Sequence, residues 1–197
     1  MKLKISAILM VAVVALSFFA FGPKADTYTV DLTKSSVSWE AKKMVGGHTG
    51  SIDLTSGTLV FNGKKLTGGG FVANMNSIKT LDGDKPSPSL DKHLKADDFF
   101  GAEKFPASNF VIKKVEGNGP KVNITGDFTI KGVTRSVTFP ATVTWNADKT
   151  ISAVAEKIEI DRTKYGIEYR SKSIFSDIGN KMIEDNFTLS VKLTAKK

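Results

Sequence analysis

The chain has 197 residues, carries 28 Lys and Arg against 20 Asp and Glu for a formal net charge of +8, and contains no cysteine. The lack of cysteine excludes disulfides, thiol nucleophiles, Cys-based metal sites and a cysteine-linked lipid anchor, and it suits an oxidising compartment. The lysines are scattered rather than gathered in blocks. This favours a solvated basic surface over nucleic-acid binding, and it is compatible with transient contact with an anionic membrane surface.

The first residues have the pattern of a secretory signal peptide. Lys2 and Lys4 form a short basic start, and residues 5–21 carry no charge. This order of a basic segment and an apolar segment is typical of signal peptides. The alternative, a membrane-spanning anchor, needs about 20 apolar residues, and this run is slightly shorter. We predict a signal peptide over residues 1–25, cleaved between residues 22 and 25, and one periplasmic or secreted domain over residues 26–197.

The dominant period of the remaining chain is two. Apolar residues alternate with polar ones in four segments, at residues 37–41, 71–75, 137–145 and 187–193. Each segment buries one face and exposes the other, as strands of antiparallel sheets do. The sequence therefore predicts an all-β fold.

Turn signals and strand lengths favour a barrel over a sandwich. Asn-Gly at residues 62–63 and Lys-Gly at residues 131–132 predict tight hairpins. The triple glycine at residues 68–70 lies inside a strand pattern, where glycine marks a bend or a close approach. The segments 121–130 and 135–145 are longer than the usual five or six residues. We predict an antiparallel β-barrel of about eight strands.

One long connection, residues 80–109, breaks the strand pattern. Ser89 is a suitable N-cap, and Leu90 and Leu94 lie one helical turn apart, which predicts a short helix. Three phenylalanines follow, and we expect them to pack this connection onto the barrel: Phe99, Phe100 and Phe105.

The sequence offers no pattern typical of an enzyme. It contains no Gly-x-Ser-x-Gly motif and only two histidines, His48 and His93. A metal site or an active site built on them would require their rings to converge, and no His-Glu-x-x-His pattern is present. We interpret Asp161 and Arg162 as a structural ion pair or a loop cap. The sequence predicts no catalytic residue and no metal ligand.

The candidate ligand-binding residues are apolar side chains expected to face the barrel axis. An eight-stranded barrel is just wide enough to be filled by side chains or to hold one small ligand. Small residues expected on the same face, including Ala41, Ala141 and Ala153, would leave room for a thin chain. The alternative is a filled barrel that acts as a structural or stress-related interaction protein. The candidates are Trp39, Phe71, Ala73, Met75, Phe110, Ile112, Phe128, Ile130, Phe139, Val143, Trp145, Ile158 and Ile160.

Five motifs together resemble those of the YceI-like family, in the family's order and across nearly all of the predicted mature chain. They lie at residues 46–52, 70–78, 91–100, 126–134 and 161–167, the last with Tyr where Phe is commoner. The resemblance implies a lipocalin-like barrel that binds an isoprenoid lipid, quinone-type or polyprenyl, without catalysis. That lipid is the expected ligand, and no other cofactor is required. The length and headgroup of the lipid and the oligomeric state of the protein are left open.

Overall fold

The computed structural model describes residues 25–175 and 179–197, so the predicted signal peptide lies, apart from Ala25, outside the described residues. Among the described residues, no helix is long and apolar enough to span a bilayer. The strands are β1 (Asp26–Val30), β2 (Ser36–Lys43), β3 (Gly47–Ile52), β4 (Leu54–Asn62), β5 (Lys65–Asn74), β6 (Lys79–Thr80), β7 (Ala107–Glu116), β8 (Lys121–Ile130), β9 (Val133–Trp145), β10 (Ile151–Asp161) and β11 (Ile183–Lys196). One helix, α1, spans Pro88–Lys95, and 3₁₀ turns lie at Met75–Ser77, Arg162–Tyr165 and Gly179–Lys181.

The strands form a closed antiparallel barrel, as predicted. Strands β1 and β2 both pair with β11. On their other sides, β1 pairs with β4 and β2 pairs with β3, and then β4 pairs with β5 and β3 pairs with β6. In the barrel wall, β1 and β2 are therefore two parts of one interrupted strand, as are β3 and β4, and β5 and β6. Together with β7 to β11 they make eight strands, and the β1–β11 pairing closes the ring.

The two hairpin predictions have different outcomes. Lys131 and Gly132 form the β8–β9 turn with φ of 49° and 76°, as expected for a two-residue turn with positive φ at both positions. The β4–β5 turn was predicted one residue too early. Asn62 stays in the ladder opposite Lys65, so Gly63 and Lys64 make the turn. Gly63, with φ of 59°, takes the backbone conformation that the asparagine was expected to share.

Within the triple glycine at residues 68–70, the middle residue Gly69 has a backbone conformation and a close contact that require glycine. Its φ is 146°, and a Cβ built at this position would lie 2.4 Å from the Thr58 carbonyl oxygen. The β4–β5 register shifts nearby, between Val60 and Phe61. Glycine is therefore required here by a close approach of two strands, as the sequence predicted.

The inward face of β10 changes parity at a bulge. The β10–β11 register shifts between Ala155 and Ile158, and Lys157 adopts a φ of 56°. Residues before and after the bulge are buried, including Ala153 and Ile160. The bulge allows an odd and an even position of one strand to face the same core.

The helix α1 covers one end of the barrel, called here the helix end. Its N-cap is Ser87 with Pro88 at the first helical position, so the prediction of Ser89 was two residues late. Proline suits this position because its fixed φ is helical and no N–H is needed there. The Asp91 carboxylate accepts hydrogen bonds from Thr80 N and Thr80 Oγ1, both at 2.7 Å, and ties α1 to β6.

An aromatic cluster closes the opposite end and is called here the floor. Tyr28, Phe61 and Trp145 make three edge-to-face contacts with centroid distances of 5.2 to 5.5 Å. Phe61 is fully buried. The Trp145 indole N–H donates to the Lys64 carbonyl at 3.4 Å, which gives its polar atom a partner at the barrel edge.

Candidate ligand-binding cavity

A cavity of about 190 Å³ lies inside the barrel between the helix end and the floor. Its wall combines side chains from the barrel strands with Leu94 of α1 and the Phe99–Phe100 segment that follows it. A dry apolar cavity of about 150 Å³ is enough to bind benzene. The barrel axis is therefore not packed solid, and the space suits an apolar group rather than water.

Ten of the candidate residues lie on the wall of this cavity. Three small residues expected on the inward face, Ala41, Ala141 and Ala153, also line it. The structure thus brings these residues together, and their contact with a ligand stays a prediction. The ten are Trp39, Phe71, Ala73, Met75, Phe110, Ile112, Phe128, Ile130, Phe139 and Ile158.

The other three candidates lie away from the cavity wall. Trp145 belongs to the floor. Val143 is two residues before Trp145 on β9, past Ala141 in the direction of the floor, and is buried. Ile160 is 2% exposed and lies beyond Ile158 toward the last residue of β10. All three belong to the inward side of their strands, but none of them forms part of the cavity wall.

The wall also contains inward residues that were not among the candidates. The alternating pattern of β2 and β11 already marked five of them, because every second residue of a strand shares a face. Two of the three phenylalanines that were expected to hold the long connection in place, Phe99 and Phe100, form the cover of the cavity. The additional wall residues include Val37, Leu59, Leu66, Phe99, Phe100, Phe187, Leu189, Val191 and Leu193.

Polar side chains on the described cavity wall are few. Ser108 is buried, and its hydroxyl donates to Met75 Sδ at 3.0 Å. Glu184 is half-buried and forms a 3.0 Å ion pair with Lys172. The third is Arg162. The wall residue Trp39 adds a buried indole N–H that has no hydrogen-bond partner among the described residues. Arg162 and Glu184 are both at the helix end, since the Arg162 side chain bonds the main chain at the start of β11.

Arg162 is a buried cation at the wall, with 3% of its side chain exposed. Its Nε, Nη1 and Nη2 donate to the carbonyls of Glu184, Ile167 and Ile183 at 3.1, 2.8 and 3.2 Å. The nearest carboxylate is Asp185 at 3.9 Å. Burial lowers the pKa of Arg162, although arginine stays protonated in proteins.

The sequence did not identify Arg162 as a cavity residue. The predicted loop cap is present, because Asp161 Oδ1 accepts from Thr163 N at 3.0 Å and from its hydroxyl at 2.6 Å. Arg162 instead reaches residues 183–185, whose proximity depends on the closed barrel. The only sequence signal was its place in the last of the five motifs.

The two histidines each have their own carboxylate. His48 Nδ1 lies 2.7 Å from Asp82, and His93 Nε2 lies 3.2 Å from Asp98. The hydrogen bond from His48 is the main cause of the lowered pKa of Asp82. Within residues 25–175 and 179–197, no group of three or more His, Asp or Glu side chains is placed to hold a metal ion.

Sequence comparison identifies the family. A family model described as the YceI-like domain matches residues 28–195. The chain belongs to the YceI-like family. It is 29% identical over 121 residues to Protein YceI of Escherichia coli, which is 61% of this chain and 62% of that protein. It is 30% identical over 119 residues to a UPF0312 protein of Pseudomonas aeruginosa, which is 60% of this chain and 58% of the relative. Each alignment spans less than two thirds of the relative.

Solved structures share this YceI-like barrel. Burkholderia cenocepacia BcnA superimposes with a TM-score of 0.69 at 26% identity, covering 85% of this chain and 99% of BcnA. A polyisoprenoid binding domain from Saccharophagus degradans gives a TM-score of 0.66 at 14% identity, covering 86% and 97%. At that identity the second likeness shows a common fold.

Proposed function

We propose that the barrel binds one isoprenoid lipid, quinone-type or polyprenyl, and acts as its carrier or reservoir outside the cytoplasm. The observation that carries the proposal is the cavity of about 190 Å³, whose wall is apolar except at Ser108, Arg162, Glu184 and the indole N–H of Trp39. Membership of the YceI-like family and the likeness to a structure described as a polyisoprenoid binding domain support the choice of an isoprenoid.

The proposed lipid lies with its tail toward the floor and its polar head toward the helix end. Toward the floor the wall is built from residues such as Leu59, Leu66 and Ile124, which offer a hydrocarbon only dispersion contacts. At the helix end a head with acceptor oxygens would meet the buried charge of Arg162 beside Glu184. A charge-assisted hydrogen bond to such an oxygen is stronger than one between neutral groups.

The energetics favour an exchanging carrier over a trap. Each buried CH₂ is worth about 0.8 kcal/mol against water, so one five-carbon isoprene unit contributes about 4 kcal/mol. Several fully enclosed units would exceed the practical affinity limit of about −20 kcal/mol if water were the reference, but a cavity only slightly larger than one that binds benzene encloses roughly one or two of them. The actual competitor is the bilayer, whose interior is equally apolar. The lipid therefore partitions between barrel and membrane with a modest preference.

The two other candidate functions are less well supported. A filled barrel requires side chains packed along the whole axis, and the cavity inside the barrel is evidence against such packing. An enzyme or metal protein built on His48 and His93 requires the two rings to act together, but each ring is bonded to a different aspartate.

The direct test is equilibrium binding of short, soluble isoprenoids. Isothermal titration should show binding of farnesol and of a short-chain quinone, with the negative heat-capacity change of apolar burial. A straight-chain alcohol of equal carbon number serves as the control for generic apolar binding. No heat and no retained ligand with either isoprenoid would overturn the proposed function.

A further inference from the structure

Large apolar side chains are exposed at the helix end of the barrel. Four of the seven such residues in the described part of the chain lie on two segments there, and Val45 is 73% exposed. We call these four, Met44, Val45, Ile174 and Phe175, the rim patch. Exposed apolar residues that lie close together mark an interaction surface, whereas single ones need no explanation.

Main-chain hydrogen bonds hold the two segments of the rim patch on either side of the start of β11. Met44 N donates to the Met182 carbonyl at 3.3 Å, which fixes the β2–β3 hairpin beside β11. On the other side, Lys172 N donates to the Ile183 carbonyl at 3.3 Å, and Phe175 N donates to the Ser171 carbonyl at 3.0 Å. Ile183 and Glu184, between the segments, line the cavity. The rim patch therefore flanks the end of the cavity at which Ile183 and Glu184 lie.

Cationic side chains accompany the rim patch. Lys43 precedes the hairpin tip, while Arg170, Lys172 and Lys181 belong to the other segment and its continuation. Lys172 is paired with the nearby Glu184 carboxylate at 3.0 Å, so these two charges balance, and Lys43, Arg170 and Lys181 supply the remaining positive charge. Apolar residues surrounded by lysine and arginine are typical of surfaces that lie in the interface of an anionic bilayer.

We propose that the rim patch docks the barrel, helix end down, on an anionic bilayer, so that a lipid passes between cavity and membrane without crossing water. The inference rests on the proposed function for its purpose and on the rim patch for its geometry. The apolar tips enter the headgroup region, and the cations contact lipid phosphates. Docking at this end aligns the polar head of a bound lipid with the headgroup layer.

The lack of cysteine in the chain allows a site-by-site test. The full chain without its leader, carrying Val45→Cys or Phe175→Cys, is labelled with an environment-sensitive fluorophore and mixed with phosphatidylcholine vesicles, with or without phosphatidylglycerol. Leu32→Cys and Val111→Cys are matched controls, since these residues are 43% and 42% exposed outside the rim patch. We expect a blue shift at residues 45 and 175 on anionic vesicles only, reduced by salt. No shift there, or an equal shift at all four sites, would overturn the inference.

A loss-of-function variant separates docking from binding. Met44→Ser combined with Val45→Ser should lower partition onto anionic vesicles by about tenfold or more, since two apolar side chains no longer leave water. Transfer of a fluorescent isoprenoid between vesicles should slow, while binding of soluble farnesol stays unchanged. The control is Leu32→Ser combined with Val111→Ser. If the protein binds farnesol but shows no response to vesicles, the docking inference is refuted and the proposed function stands. The same holds if the rim patch binds a protein and no vesicle. If the protein responds to vesicles but does not bind farnesol, the proposed function is refuted and the docking of the rim patch stands.

Discussion

Replacement of Ala141 by tryptophan should block the cavity while leaving the barrel folded. Ala141 is 7% exposed and lines the cavity on β9, next to the outward and exposed Thr142. Neighbouring strand residues point to opposite faces. Thr142→Trp is therefore a matched control that adds the same indole one residue away, on the outer surface of the barrel.

The size of the effect follows from the volume of the cavity. An indole ring is larger than the benzene that a cavity of about 150 Å³ accepts, so it occupies much of the 190 Å³ available. Exclusion of one isoprene unit removes about 4 kcal/mol of burial, which is up to roughly a thousandfold in affinity against water. Overpacking should cost about 1–3 kcal/mol of unfolding free energy. At 2–4 °C per kcal/mol for a domain of this size, Tm should fall by about 2–12 °C.

The assay is titration of farnesol into both variants, with circular dichroism as the check of folding. Ala141→Trp should retain the barrel spectrum and lose most of its affinity, and Thr142→Trp should resemble the unmodified protein. A folded Ala141→Trp variant with unchanged affinity would refute the assignment of the cavity as the binding site.

Three further predictions concern the ends of the barrel. Phe61→Ala removes the fully buried ring of the floor and should lower the unfolding free energy, measured in urea, by about 3–5 kcal/mol. Leu32→Ala is the control and should change it by less than about 0.5 kcal/mol. Equal losses in the two variants would contradict the role of Phe61 in closing this end of the barrel. Arg162→Met removes a side-chain donor from each of three carbonyls, of which that of Ile183 keeps the hydrogen bond from Lys172 N. The substitution should cost about 2 kcal/mol or more, and in any folded fraction a short quinone should lose more affinity than a hydrocarbon of equal length. Acid should destabilise the protein as pH falls below about 4, because the pKa values of Asp82 and Asp185 are lowered in the folded state. The stability that these carboxylates contribute is present above their unfolded pKa and is lost as they become protonated in the folded protein. A urea midpoint that stays constant from pH 5 to 2 would contradict the last prediction.

The two carboxylates owe their lowered pKa values to different environments. The hydrogen bond from His48 is the main cause at Asp82, with a second from Thr49 N. At Asp185 burial alone would raise the pKa, but hydrogen bonds from Ser171 and Ser173 and the charge of Arg162 outweigh it. Asp185 therefore belongs to the group of side chains that holds the buried cation at the cavity.

The barrel could be predicted from the sequence because its strands carry a local signal. Alternation marked the inward face of β9, and the predicted bounds 121–130 of β8 are those of the structure. Turn and cap positions were less certain, because neighbouring residues can serve the same geometry. Gly63 and Ser87 took places predicted one or two residues away.

The ends of the cavity could not be predicted, because they depend on long-range contacts. Trp145 fills the floor because Tyr28 and Phe61 reach it from distant strands. Arg162 lines the cavity because the barrel brings residues 21 and 22 positions away against its side chain. Alternation distinguishes inside from outside, but it does not show where along the axis the packing stops. The choice of an isoprenoid came from the family resemblance, since apolar walls accept any hydrocarbon.

The most direct test of the central claim is to identify what the barrel carries in its native host. The protein should be purified without detergent and analysed by native mass spectrometry, followed by lipid extraction. We expect about one isoprenoid lipid per chain, quinone-type or polyprenyl, and its loss in Ala141→Trp. Two results would contradict lipid binding in the cavity. One is unmodified protein that carries no extractable lipid, and the other is an Ala141→Trp variant that carries the same lipids in equal amount.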